Sequence, residues 1–217
     1  MVTALRARII NVKSVRMRYF FTALGFLVAM ITLYASPFTA SALTGAGTSG
    51  SPYQISSCAD FKDINDDLDA YYTLTQHLNC TADAMSIMVG NAQPFTGNFN
   101  GNNRTITVSM IDSGYRNVGL FSELDGATVR NLAVAGTINI SEADGTVGES
   151  IGAIAGQATS STLDNVSRTA FISGDLTVGG IVGTATLSTI TDASSVGSVV
   201  SRLANGGGLQ ESLPVQR

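Results

Sequence analysis

The sequence predicts an all-β solenoid whose N-terminal end is covered by a short capping helix. Three observations carry that prediction. The first is self-similarity beyond residue 90: Val118-Gly119-Leu120-Phe121 aligns with Gly152-Ala153-Ile154-Ala155 and with Gly179-Gly180-Ile181-Val182. Thr128, Thr162 and Thr189 then open three related runs, TVRNLAVAGTI, TLDNVSRTAFI and TITDASSVGSV. The copies align without a gap from Val118 to Ile138, Gly152 to Ile172 and Gly179 to Val199. The second observation is periodicity. Within each copy, apolar residues alternate over short stretches bounded by Gly, Ser, Asn and Asp, and no helical period outlasts a turn. The third is spacing: the copies begin 34 and then 27 residues apart, and the difference falls in SEADGTVGES, between Ile138 and Gly152. An insertion confined to one place is what a loop on one corner of a repeated coil produces.

A repeat of this kind is stable only when each coil covers the next. At about 3.3 Å per residue, a repeat of this length accommodates three strands of roughly five or six residues with turns between them. Val129, Leu163 and Ile190 are expected to stack along one interior line, and Ile138, Ile172 and Val199 along another. Asn131, Asn165 and Asp192 share a register and predict a hydrogen-bonded ladder, or simply turn chemistry, at a corner. Glycines 119, 136, 156, 180, 183 and 197 are expected to turn tight corners at positive φ.

Taken in chain order, residues 1–42 read as a secretory signal peptide. Arg6, Arg8, Lys13, Arg16 and Arg18 precede an almost wholly apolar stretch, 19–38, and Ala40-Ser41-Ala42 supplies small residues for cleavage after Ala42. About 20 apolar residues also span a bilayer, so an uncleaved anchor competes, with Pro37 and the small-residue site against it. Met17 begins a compact signal of its own, so it is a second candidate start. No cysteine stands at the expected cleavage point, which disfavours a lipoprotein. The rest of the chain is expected to be secreted or on the cell surface. It would meet a membrane only through the signal segment, if that stays uncleaved.

Residues 43–93 form the expected N-terminal cap. Ser56 or Ser57 is suited to cap a helix whose partly apolar face carries Ala59, Phe61, Ile64 and Leu68, and a strand follows. His77 falls in the alternating run YYTLTQHLN as a strand side chain. Cys58 and Cys80 both belong to the exported part, where thiols are readily oxidised. A bridge would tie the helix to the first strand and stabilise by roughly 3 kcal/mol. Free thiols, a catalytic cysteine and a metal pair are the alternatives, with His77 the only histidine to serve them. Residues 94–205 are the coils, beginning with PFTGNFNGNNRTITVSMI, and 206–217 hold a fourth repeat that opens at Gly207-Gly208-Leu209 and breaks off.

Several partners and chemistries are excluded or disfavoured. From Leu43 onward seven basic residues face sixteen acidic ones, a net −9, so nucleic acid is not expected as a partner. His-Glu-x-x-His and phosphate-loop motifs are absent, and no cofactor or catalytic residue is expected. Asp60, Asp63, Asp66, Asp67 and Asp69 read as a solvated face near a helix start, and Glu142, Asp144 and Glu149 as an exposed acidic loop. A β-helical polysaccharide-acting enzyme is the rival class, requiring acids and an arginine on one exterior face. Thr128, Thr162 and Thr189 suggest an outward threonine column, but an ice-binding surface needs two. A surface glycan, or a host or neighbour-cell protein, is the expected partner, with Tyr53, Tyr71, Tyr72 and Tyr115 as candidate sugar contacts.

These repeats resemble the GLUG-motif repeat family. Val178-Gly179-Gly180-Ile181-Val182-Gly183 matches its Gly-Leu/Ile-Val-Gly signature well, and Ile151-Gly152-Ala153-Ile154-Ala155-Gly156 more loosely. Phe95-Thr96-Gly97-Asn98-Phe99-Asn100-Gly101-Asn102 resembles the segment preceding such repeats, with Asn100 where the family has aspartate. Val118-Gly119-Leu120-Phe121 resembles a first coil, and the likeness covers about residues 51–210. The resemblance implies a right-handed parallel β-helix from bacterial surface proteins, including adhesins and some immunoglobulin-A-cleaving metallopeptidases. It implies a structural or adhesive role and no activity for the repeat itself.

Overall fold

Alternating side chains force each repeat into strands with one face buried, and the strands find their partners one repeat away. The computed structural model describes residues 43–82, 88–111, 115–140, 150–175 and 177–202. The signal segment with Ala40 and Ala42, the acids Glu142, Asp144 and Glu149, and the 206–217 tail lie outside the described residues.

The chain is mostly β-strand, with parallel sheets and little helix. The strands are β1 (Tyr53–Ile55), β2 (Tyr71–Leu74), β3 (Leu78–Asn79), β4 (Asn98–Ile111), β5 (Asn117–Val118), β6 (Phe121–Asp125), β7 (Thr128–Asn139) and β8 (Ser150–Ile151). Then come β9 (Ala155–Thr159), β10 (Thr162–Arg168), β11 (Phe171–Gly174), β12 (Thr177–Val178), β13 (Val182–Thr186), β14 (Thr189–Thr191), β15 (Ser194–Ser195) and β16 (Val199–Ser201). Each repeat places strands in three parallel sheets. One sheet runs β5-β8-β12, a second β6-β9-β13, and the largest follows β1-β2-β4-β7-β10-β14 with β3, β11, β15 and β16 alongside.

Register follows the repeat. Val129 pairs with Leu163 and Leu163 with Ile190, while Ile138 pairs with Ile172 and Ile172 with Val199, the two interior lines expected from the sequence. Val129, Leu163, Ile138 and Ile172 are fully buried, but Ile190, in the last described coil, is 39% exposed. The gapless alignment is corrected at one point. Phe121 pairs with Ala155, 34 residues on, yet Val118 pairs with Ile151 and not with Gly152. Pairing Val118 with Ile151 keeps both side chains in the core, so burial decides the register and the second repeat carries one more residue through this corner.

The N-terminal segment does more than cover an end. β1 and β2 join β4 in parallel register, so residues 53–74 already extend the main sheet. Between them lie α1 (Cys58–Lys62) and a 3₁₀ turn, Asp63–Asp66. Phe61 and Ile64 are buried, and the Phe61 ring meets Phe99 and Phe121 edge-on at 5.5 and 5.8 Å. Ala59, expected on the apolar face, is exposed, because the α-helix ends after five residues and only Phe61 within it turns inward. His77 sits between β2 and β3, exposed, where its Nδ1 accepts the Thr105 N–H at 3.0 Å. Cys58 and Cys80 are joined in a disulfide that ties α1 to the residue after β3. No helix among the described residues is long and apolar enough to cross a membrane.

Candidate functional site

Strand alternation that buries Tyr72, Phe99, Val129 and Leu163 turns their neighbours outward on the main sheet. One outward column runs Tyr71, Asn98, Thr128, Thr162, Thr189, one residue from each rung. The next runs Thr73, Asn100, Arg130, Asp164, Thr191. The three threonines therefore do form a column, but its neighbour holds an amide, a cation and a carboxylate, so two flat threonine columns are not present on this face. Arg130 and Asp164 are register partners here, and Asp164 accepts the Thr191 hydroxyl at 2.7 Å.

The turn before β1 raises a wall beside this face. Tyr71 N–H donates to the Gly47 carbonyl at 2.9 Å, and Thr48 and Ser51 bridge each other antiparallel. The shallow depression that results is lined by Ser49, Pro52, Tyr71, Asn98, Thr128 and Arg130, among others. Tyr71 is 38% exposed there. Among the described residues, the Tyr71 hydroxyl, the Asn98 amide and the Arg130 guanidinium engage in no hydrogen bond or ion pair. Asn100 accepts through Oδ1 from Asn102 N–H and from Asn131 Nδ2, both at 3.0 Å, which leaves its own Nδ2 to donate.

Of the other tyrosines, Tyr53 is half-buried and Tyr115 is 38% exposed. Tyr72 is corrected: it is buried, its hydroxyl donates to the Asp67 carbonyl, and its ring packs 5.5 Å from Tyr53 and 6.1 Å from Phe95. It is a core aromatic, closed to any sugar.

The repeat-motif residues line the corner between the two smaller sheets. Val118, Leu120 and Ile154 are fully buried and Ile181 nearly so. Positive φ is found at Gly136 and Gly197, but not at Gly119, Gly156, Gly180 or Gly183. Those four are glycine for space instead. A Cβ on Gly119 would stand 2.8 Å from the Gly152 carbonyl oxygen, and one on Gly156 would stand 2.5 Å from the Val118 nitrogen. A Cβ on Gly183 would meet the Ile151 nitrogen at 2.5 Å. At Gly180 the obstruction is side chains, Ser195 Oγ and, at 3.1 Å, Arg168 Nε. Gly152 and Gly179 likewise face backbone of the adjoining coil or corner.

The corner ladder joins Asn131 and Asn165 and stops short of Asp192. Asn131, Asn165 and Asp192 all adopt the left-handed conformation, at φ 55, 49 and 48. Asn165 Nδ2 donates to Asn131 Oδ1 at 2.8 Å, continuing the bond from Asn131 to Asn100. The acids near α1 divide into different roles. Asp60 closes a capping box with Ser57, accepting the Ser57 N–H at 3.0 Å while its own N–H donates to Ser57 Oγ at 3.1 Å. Partial burial pushes its carboxyl up, but hydrogen bonds from Ser56 and Ser57 outweigh that and hold it below the usual carboxylate value. A hydrogen bond with Asp69, reinforced by partial burial and like charge, raises Asp67. Among the described residues, no group of three or more His, Cys, Asp or Glu side chains is placed to hold a metal ion.

Sequence reasoning missed Arg168. Its position in β10 pairs with Val134 and Ser195, yet it is buried. The guanidinium donates to Ser195 Oγ at 2.7 Å and to the carbonyls of Ala170, Gly197 and Ser198. Burial lowers its pKa. The alternation of TLDNVSR places residue 168 inward, so the signal was there, but a charged type masked it.

Among curated proteins, the chain is similar to halomucin of Haloquadratum walsbyi (strain DSM 16790 / HBSQ001), at 35% identity over 148 residues, covering 61% of this chain and 2% of that protein. The chain thus spans a small fraction of the length of the relative it matches. No family model matches the chain. No solved structure matches it.

Proposed function

We propose that the chain is an exported, right-handed parallel β-helix of the GLUG-motif kind, serving as a structural and adhesive segment of a cell-surface protein without catalytic activity. The observation that carries this reading is register: each repeat feeds all three parallel sheets, and each main-sheet rung lies on the equivalent rung of its neighbour. Such stacking yields a rigid rod with long exterior faces, which suits presentation and spacing better than enclosure of a reaction. The disulfide fits an oxidising compartment. The match to a short stretch of halomucin, a name denoting a mucin, supports a place outside the cell. Acidity argues against nucleic acid as the partner, leaving a surface glycan or a neighbouring cell's protein.

The test is export and topology together. Intact cells are treated with protease, and the mature N-terminus is sequenced. The reading expects surface-accessible or secreted protein beginning at Leu43, with Cys58 and Cys80 resistant to alkylation until reduced. Cytoplasmic retention with two free thiols overturns it, and a crystal structure without right-handed coils overturns the architecture.

A further inference from the structure

We infer that the depression beside Tyr71 is a binding site for an extended, uncharged glycan. This rests on the surface-protein reading above and names the ligand class it would meet. Three features of the site argue for a polyhydroxylated ligand. Tyr71 offers a partly exposed ring, the kind of face on which the C–H side of a pyranose packs, with its hydroxyl free to bond a sugar oxygen. On the next rung Asn98 has its amide not spent on the protein and Asn100 has its Nδ2 left to donate, and Thr128 follows on the rung beyond. Arg130 closes the far end as a set of unused donors.

Geometry favours a chain over a single sugar. Rungs repeat at about 4.8 Å, close to the advance of one residue along an extended glycan, so successive sugars would meet equivalent positions on successive rungs. From Tyr71 to Arg130 the path crosses two rung spacings, about 10 Å, and two residues along the strand, about 7 Å, enough for two or three sugars. An anionic polymer is the poorer fit. Asp164 is the register partner of Arg130 and Asp69 stands two residues before Tyr71, so both ends of the groove carry nearby negative charge. The wall of residues 48–52 gives the site one closed side, which a flat sheet lacks.

The experiment measures binding of cellotetraose, chitotetraose and tetragalacturonate to the full-length chain by saturation-transfer NMR and calorimetry. The expected result is binding of at least one neutral tetrasaccharide at roughly millimolar strength or better, weakened roughly tenfold or more by Tyr71→Ala and by Asn98→Ala. Thr191→Val, on the same column but three rungs from Asn100, should leave the affinity unchanged. Circular dichroism and the melting temperature confirm that each variant is folded. Binding of tetragalacturonate alone overturns the assignment of an uncharged ligand. No binding by the folded chain, or binding indifferent to Tyr71→Ala and Asn98→Ala, overturns the site. A chain proved surface-exposed by protease yet failing here sinks this inference alone, whereas cytoplasmic retention sinks the surface reading whatever the NMR shows.

Discussion

At Asp192 the corner ladder of amides runs out. Asn131 and Asn165 each donate one Nδ2 hydrogen to the coil before them, but a carboxylate has none to give. Asp192 already holds the left-handed conformation that Asn tolerates. Asp192→Asn should therefore extend the ladder to Asn165 and stabilise by about 0.5–1 kcal/mol, read as a higher denaturant midpoint at unchanged slope. Ser57→Ala works in the opposite direction. It removes the oxygen that receives the Asp60 N–H and should cost about 1 kcal/mol. Asp60 adds a pH signature. Its folded pKa lies below the unfolded value, so its contribution is complete above the ordinary carboxylate range and is lost as pH falls through the depressed value. Unfolding midpoints followed from about pH 6 to pH 2 should show a smaller acid loss in Asp60→Asn than in the native chain. Ser57 and Asn131 were legible because capping and corner chemistry are local. Asp60 passed for one more solvated acid, although Ser57 three residues before it spelled the capping box.

Elements are set by how closely one coil approaches the next, which no single repeat states. The glycines of the motif were visible as a column, and positive φ was the natural reading, yet Gly119, Gly156 and Gly183 owe their identity to backbone pressed against them from the adjoining coil or corner. Two alanine substitutions separate the causes. Gly156→Ala drives a methyl against Val118, Ser150 and Asn117 backbone at 2.5 to 2.8 Å and should cost about 1–3 kcal/mol or prevent folding. Gly126→Ala meets nothing within 4 Å but must hold φ at +67, so about 1 kcal/mol is expected. A cost at Gly156 no larger than that at Gly126 would show that the adjoining backbone yields to a methyl, and that space does not govern Gly156. The disulfide acts at this scale as well. It closes a loop with a sequence separation of 22 and anchors a helix of five residues, too short to persist unaided. Cys58→Ala with Cys80→Ala should lower stability by about 3 kcal/mol. The pairing was legible from compartment and spacing. The one-residue shift at Val118 was not, because a gapless alignment anchored on Leu120 and Ile154 leaves no room for the extra residue that the fold takes up between Ile151 and Ala155.

Across the whole molecule, burial falls from one end of the stack to the other. Phe61, Phe95, Phe99 and Phe121 interlock at centroid distances of 5.1 to 5.8 Å near the N-terminal coils. The last described coil instead leaves Ile190 at 39%, Val196 at 59% and Leu187 at 87% exposure. The repeat sequence foretold which residues stack but not this gradient, since Ile190 aligns with Leu163 as well as Leu163 aligns with Val129. In a stacked array each coil is held mainly by its neighbours, so the coil with the least covered core should open first. Amide exchange should then rank the main-sheet rungs, with β4 and β7 slowest, β10 intermediate and β14 to β16 fastest. Arg168 is the clamp that restrains the last coil, since its guanidinium binds Ser195, Gly197 and Ser198 from the coil before. Arg168→Met keeps the length and the apolar stem but strands the Gly197 and Ser198 carbonyls and frees the Ser195 hydroxyl, and should speed exchange at 194–201 by at least roughly tenfold while leaving β4 and β7 unchanged. Lysine restores the charge without the planar fork and should recover only part of the protection. A uniform loss across all coils would mean that Arg168 supports the core as a whole, and that the stack unfolds as one unit and not from its last described coil.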